Sequence, residues 1–363
     1  MQKVGLIGWR GMVGSVLMSR LREMNDFANF SAHLFSTSQI GQSAPLEACH
    51  AILHDAHDIV QLADMDIVLS CQGGAYTEKI YPQLRQAGWQ GYWIDAASTR
   101  RMTDDSVIVL DPVNQAAIEQ AIDQGQKDFI GGNCTVSLLL MAIAPLFQEN
   151  LVEWVSSMTY QAISGAGAQA MTTFVAQMQS MTQTVNLSDA ALSIDRSLQT
   201  AVHAAELPTT GIGFPLAANV LPWIDTAVAQ GQTREEWKAM VEANKILAND
   251  VPVPIDGTCV RVGAMRSHSQ ALTIKLKQSI DLSTVESLLH NWHPWLRWVD
   301  NSRAASLAQL TPLSVSGTLD IAVGRVRHLA MGRDYLNLFT VGDQLLWGAA
   351  EPLRRILMQL LSV

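Results

Sequence analysis

Over roughly the first 130 residues, short apolar runs alternate with stretches of helical periodicity. The runs "VGLIG", "AHLFS", "DIVLSCQGG", "GYWIDAAS", "SVIVLDP" and "DFIGGN" predict strands, because they are short, rich in β-branched or aromatic residues, and bounded by turn-forming residues. Between them, "MVGSVLMSRLREM" and "YTEKIYPQLRQAG" place apolar residues three and four apart, and the second stops at Gly88, as a helix with a glycine C-cap would. Strand–helix alternation predicts βαβ units and a parallel sheet.

From about Cys134 the pattern changes. "EWVSSMTYQAI", "GTCVRVGAMRSHSQALTIKLK" and "GRVRHLAMG" are longer and alternate apolar with polar positions, which suits an antiparallel sheet with one covered face. Two helices interrupt them. "TREEWKAMVEANKIL" carries a capping box, Thr233 with Glu236, and "LLWGAAEPLRRILMQLL" closes the chain. The expected division is residues 1–133, joined by the closing helix at about 345–363, and residues 134–344. The expected class is therefore α/β, with a parallel-sheet domain followed by a mixed or antiparallel α+β domain. Residues 181–212, rich in Ser, Thr and Ala, are expected to be a linker or cover, and no internal repeat is visible.

Composition narrows the partners. At 363 residues the chain exceeds what one core usually serves, and 48% hydrophobic against 16% charged residues indicates a well-buried globular protein. A net charge of −9 disfavours nucleic acid or an anionic membrane surface as a partner. The four cysteines (Cys49, Cys71, Cys134, Cys259) form neither a CxxC pair nor a Cys/His metal spacing, so no metal, no disulfide framework and a reducing cytoplasm are expected. The N-terminus enters a strand directly, and the longest apolar runs, about ten residues, fall short of the roughly 20 needed to span a membrane. A soluble, unprocessed protein is expected.

The stretch "GLIGWRGMVGSVL" places Gly5, Gly8, Gly11 and Gly14 directly after the first strand and into the first helix. Such glycines let the backbone turn tightly and approach a pyrophosphate at the helix N-terminus, as in a Rossmann-like domain; a tight βα turn without a ligand would also use them. After the second strand an NAD site expects a carboxylate for the ribose, whereas "LFSTSQ" supplies Ser36, Thr37 and Ser38. With Arg10 projecting from the glycine loop, the combination favours the 2′-phosphate of NADP.

Candidate chemistry lies in the second half. Cys134, between "GGN" and "TVSLLLMAIAPLF", is expected in the first turn of a helix, where the dipole and free N–H groups would lower its pKa. The alternative is an inert core thiol. In "RVGAMRSHSQA", His268 is a candidate base, or simply a packed strand histidine. Arg261 lies seven positions earlier, so in one unbroken strand the two would face opposite sides; a bend near Gly263 would bring them together. Glu235 and Lys238 are three apart on one helical face, as a site pair or a solvated ion pair. Arg100 and Arg101 follow a strand end and suit a phosphate, and the tryptophans of "NWHPWLRW" suit packing or subunit contact.

With these residues in hand, the chain resembles aspartate-semialdehyde dehydrogenases of the Gram-negative bacterial type. The resemblance runs through "GLIGWRGMVGSVL", "DAASTRRM", "GGNCTVSL", "TYQAISGAG", "REEWKAMVEANKIL", "RVGAMRSHSQALTIKLK" and "FTVGDQLLWGAAEPLRR" in the expected order. It implies that Cys134 is the acyl-enzyme nucleophile, His268 the acid/base and Gln161 a substrate-orienting residue. It also implies that Arg261 binds the substrate carboxylate, Glu235 its ammonium group, and Arg101 with Lys238 the phosphate. NADP would rest on Gly8, Arg10, Gly11, Met12, Val13, Thr37, Ser38, Gln72, Ser164, Gly165 and Gln344, in a homodimeric enzyme that makes aspartate semialdehyde from aspartyl phosphate for lysine, threonine and methionine biosynthesis. Three stretches depart from the family pattern: "APLEACHAILHDAHD", residues 181–215, and "SGAGAQAM", which lacks an expected basic residue. Alternatives are a reductase for an N-acylated amino-acid phosphate, which would not need Glu235, a non-catalytic NADP-binding paralogue, and a cofactor-free cysteine hydrolase, against which the glycine loop argues.

Overall fold

The computed structural model describes residues 1–183, 185–203 and 207–363. The first sheet is built from β1 (Lys3–Ile7), β2 (Ser31–Ser36), β3 (His54–Asp55), β4 (Ile67–Ser70), β5 (Tyr92–Asp95), β6 (Ser106–Val109) and β7 (Asp128–Gly131), in the order β3-β2-β1-β4-β5-β7-β6. Every pair in it is parallel. The strand order reverses direction at β1 and β4, and the crevice beyond their carboxyl ends is where parallel α/β sheets take ligands. Only Ile67–Ser70 of "DIVLSCQGG" is strand; Gly73, at φ +98°, turns the chain into the Gly74–Gln86 helix. That helix ends before Gly88, which takes φ +85° as a glycine cap does.

The second sheet contains β8 (Val152–Gln161), β9 (Ile255–Asp256), β10 (Cys259–Arg261), β11 (Ser267–Leu276), β12 (Leu296–Trp298), β13 (Ile321–Leu329) and β14 (Gly332–Asp343). Its path is β10-β8-β11-β14-β13-β12, with β9 also on β8. The long strands pair antiparallel, while β9, β10 and β12 join parallel, so the sheet is mixed. The expected single strand through Arg261 and His268 does not exist. The chain leaves β8's one flank at Arg261 and re-enters on its other flank at Ser267, so the predicted bend is a complete crossover.

The Cys134–Gln148 helix is buried along its length from Thr135 to Phe147. One side meets Leu272, Ile274 and Leu338 of the second sheet, and the other meets Ala243 and Ile246 of the Arg234–Leu247 helix. This explains a sequence that is apolar on every face, since a helix covered all round has no solvent side to mark with charge. At about 1.5–3 kcal/mol for each large apolar side chain removed from water, the burial fixes the helix firmly. The Glu351–Leu360 helix sets Leu353, Ile356, Leu357 and Leu360 against Leu17, Leu21 and Phe129 of the first sheet's layer. Within the expected cover, the Ala191–His203 helix lays Leu198, Ala201 and Val202 on the cluster of Phe174 and Met181; residues 184 and 204–206 lie outside the described residues.

Gly14 shows how tightly the first turn is built. A Cβ there would come within 2.2 Å of the Gly8 carbonyl oxygen and 2.6 Å of the Trp9 Cα, both backbone atoms. Gly14→Ala is therefore expected to lower stability by about 1–3 kcal/mol in urea unfolding; an unchanged midpoint would contradict this close approach.

Candidate active site

A cavity of about 420 Å³ lies between the sheets, lined by Cys134, Gln161, Arg261, Glu235, Lys238 and Arg101, together with Val13, Gly165 and Gln344. The lining comes from both halves of the chain. The second sheet supplies a cross-strand row: Arg261 of β10 pairs with Gln161 of β8, and His268 of β11 sits one step beyond the Ser269–Tyr160 pair and opposite Gly342. Register thus aligns three side chains that sequence spacing would have scattered.

Cys134 is the first residue of its helix. Asn133 caps that helix, its Oδ1 accepting from the N–H groups of Thr135 at 3.0 Å and Val136 at 3.2 Å. Gly348, from a single π-helical turn at Leu346–Ala350, allows the approach, since a Cβ there would lie 2.9 Å from the Cys134 Cβ. Cys134 Sγ lies 3.3 Å from His268 Nε2. The backbone N–H of Ala162 donates to His268 Nδ1 at 2.9 Å, which assigns the ring proton to Nε2, facing the sulfur.

The expected lowering of the thiol pKa is corrected here. Burial pushes the Cys134 thiol up to about 12, with the Glu235 charge adding to it, while Arg261, Arg101 and Lys238 pull the other way. Burial, then the Arg261 charge, drives His268 well below the ordinary histidine value. The resting pair at neutral pH is thiol and neutral imidazole.

The ionic groups are balanced rather than uniformly cationic. Glu235 accepts from Asn133 Nδ2 at 3.0 Å, Gln161 Nε2 at 3.2 Å and Lys238 Nζ at 3.1 Å. Burial alone would raise its pKa, but Lys238, Asn133 and Gln161 together hold it below the usual carboxylate value. Lys238 also donates to Asp225 at 2.9 Å. Arg101 spends three N–H groups on the Gly131 carbonyl, the Ala96 carbonyl and Glu242, leaving two for a ligand. Arg261 has no carboxylate partner among the described residues; its Nη1 donates to the Ala162 carbonyl at 2.8 Å. Gly165 makes room for it, since a Cβ there would lie 2.7 Å from Arg261 Nη1.

A second cavity of about 300 Å³ adjoins the glycine loop, lined by Gly8, Arg10, Gly11, Thr37, Ser38 and Gln72 among others. Gly8 has φ +71°, and a Cβ there would meet the Cys71 backbone at 2.5 Å. Arg10 Nη2 donates to Ser36 and Ser38 hydroxyls, each at 3.2 Å. Among the other coenzyme candidates, Met12 opens the first helix and lines neither cavity, and Ser164 accepts from Gln344 Nε2 at 2.8 Å beside the first cavity.

Sequence reasoning missed Asn133, Asp225, Glu242 and Gly348. Glu242 had a signal, since it follows Glu235 and Lys238 at the next turn of one helix face and accepts both Arg101 and the Asn133 N–H, the latter at 2.7 Å. Asp225 had none, because a loop at φ +71° delivers it.

A parallel dinucleotide-type sheet joined to a mixed sheet, with a cysteine at a helix start facing a histidine on that sheet, fits an oxidoreductase of the semialdehyde dehydrogenase class. Residues 3–121 match the family described as "Semialdehyde dehydrogenase, NAD binding domain", and residues 143–347 match "Semialdehyde dehydrogenase, dimerisation domain". The aspartate semialdehyde dehydrogenase of Francisella tularensis is similar at 51% identity with a TM-score of 0.97, over 99% of this chain and 100% of that one. The chain belongs to the aspartate-semialdehyde dehydrogenase family. A Vibrio cholerae aspartate semialdehyde dehydrogenase II, described as complexed with ASA, is similar in fold at 23% identity and TM-score 0.82, over 100% of this chain and 98% of that one. A Candida albicans enzyme described with NADP is similar in fold at 17% identity and TM-score 0.68, over 100% and 99%.

The resting thiol sets a measurable pH dependence. Iodoacetamide alkylation of Cys134 in the ligand-free protein, followed by mass spectrometry, is expected to keep accelerating past about pH 8.5, the ordinary cysteine value. A rate that levels off below about pH 7 would show a preformed thiolate instead.

Proposed function

We propose that this enzyme carries out NADP-dependent reductive dephosphorylation of L-4-aspartyl phosphate to aspartate semialdehyde, reversibly, through a thioester on Cys134, and that it serves lysine, threonine and methionine biosynthesis in the cytoplasm. The observation that carries the substrate assignment is Arg261, a buried guanidinium without a carboxylate partner among the described residues, in the same cavity as a Glu235 carboxylate held ionised. A cation without a carboxylate partner among the described residues and an ionised carboxylate, lining one cavity on either side of Gln161, complement a zwitterionic amino-acid end. An N-acylated substrate would leave Glu235 facing an uncharged amide.

Cys134 Sγ attacks the acyl carbon as its S–H bond breaks, and the acyl–phosphate bond breaks toward the two uncommitted N–H groups of Arg101 and the Lys238 ammonium, the departing phosphate taking up the thiol proton. The glycine loop, Arg10, Thr37, Ser38 and Gln72 would hold the adenosine end of NADP, and Val13, Gly165 and Gln344 line the route to the sulfur. When bound, the coenzyme supplies the hydride that reduces the thioester. As the resulting thiohemiacetal collapses to the aldehyde, the Nε2–H of His268 donates to the departing sulfur. For the reverse role as a base, His268 must first move its proton to Nδ1 and give up the Ala162 N–H.

A homodimer completes this reading. The second sheet's outer face exposes Met158 and Tyr160, with Phe339 against Tyr160 at a ring separation of 6.4 Å. An apolar sheet face of this kind, in a region matching a dimerisation domain, suits a second copy of the chain. Four free cysteines suit the cytoplasm.

The purified protein is expected to reduce NADP with aspartate semialdehyde only when phosphate is present, and to prefer it over other semialdehydes. Coenzyme absorbance that rises no faster than in Cys134→Ala would overturn the assignment. Arg10→Ala is expected to weaken NADP by roughly 10- to 100-fold, the worth of a charge-assisted contact, with little change for NAD. Equal losses for both coenzymes would remove Arg10 from 2′-phosphate recognition.

A further inference from the structure

At the outer edge of the first sheet, among residues that do not line the catalytic cavity, three imidazoles converge. His33 on β2, His54 on β3 and His50 in the loop between the strands each offer a ring nitrogen, and the three nitrogens lie within 4.8 Å of one another. Topology explains how they meet. His33 and Phe35 share a face of β2, two residues apart, and His54 is the parallel partner of Phe35. The loop then folds back so that His50 stands over both, with ring centroids 4.7 Å from His33 and 4.9 Å from His54.

A packed aromatic cluster would account for the ring contacts, but not for the state of the nitrogens. His54 Nε2 is buried without a hydrogen-bond partner among the described residues. His33 Nε2 has only the Ser31 hydroxyl, at 3.4 Å. A buried imidazole nitrogen left unpaired costs about 1–3 kcal/mol, and a structure retains such a group where something else satisfies it.

We propose that His33, His50 and His54 form a three-histidine site for a divalent transition ion of the zinc class, with water as the fourth ligand on the open side of His50. Imidazole is the preferred donor of such ions at about 2.0–2.1 Å, so the three nitrogens must close to roughly 3.3 Å from one another, a movement within reach of the exposed His50. The ion clasps the loop running from Ser36 to His54 onto the edge strand. That loop begins with Thr37 and Ser38, which line the coenzyme cavity, so the clasp would steady the wall of that cavity.

The test is zinc binding by titration calorimetry with Zn²⁺ alone, in the Cys134→Ala protein, so that the catalytic thiol does not contribute a second site. One ion per chain is expected, with a rise in melting temperature; His50→Ala and His54→Gln in the same background should each weaken binding at least tenfold and abolish that rise. His50→Ala changes an exposed loop side chain, so it reports on ligation even where His54→Gln impairs folding. No saturable binding in Cys134→Ala, or the same affinity after His50→Ala, overturns the proposal.

Discussion

The side chain of Asn133 is the joint on which the site depends. Its oxygen caps the buried helix that starts at Cys134, and its amide nitrogen donates to Glu235 on a different helix. Its own backbone N–H donates to Glu242, one of whose oxygens also takes Arg101. A cap of this kind is worth roughly 0.5–2 kcal/mol, modest against the burial of the helix it begins. Its importance lies in coupling: one amide both caps the helix that carries the sulfur and helps hold the Glu235 carboxylate.

Charge balance follows from the same joint. Arg101, Lys238 and Arg261 face Glu235, Asp225 and Glu242, and among the described residues all but Arg261 have a carboxylate partner. An anion-binding well made only of cations would hold phosphate as product too strongly to release it. On the proposed reading, Lys238 and Arg101 would meet phosphate already partly neutralised, and Arg261, without a carboxylate partner among the described residues, would be left for a group that stays on the substrate. Selectivity and release would then be separated by which cations are paired.

Much of the fold was legible in the sequence because the first sheet's strands are short apolar runs with helices between them, and that pattern has few solutions. The capping box at Thr233 and Glu236 was legible for the same local reason, and it forms as written. The geometry of Arg261 and His268 was not. Spacing along a chain says which face a residue takes within a strand, whereas these two are brought together by pairing with a third strand, β8, that lies between them. The thiol's pKa was misjudged because the helix start was visible in "GGNC" while the surrounding burial was not. Desolvation is a property of everything packed around a group, and no local motif encodes it.

The main-chain N–H of Ala162 then decides what the cysteine–histidine pair can do at rest. A histidine that accepts at Nδ1 keeps its proton on Nε2 and resists becoming imidazolium, since a second ring proton would face a donor. Such a ring is suited to stabilise sulfur as it departs more than to strip a proton from it. The thiol, raised by burial, is protonated in the ligand-free cavity. For a cavity also open to coenzyme and water, a protonated resting thiol limits oxidation and adventitious acylation, because it is the thiolate that reacts.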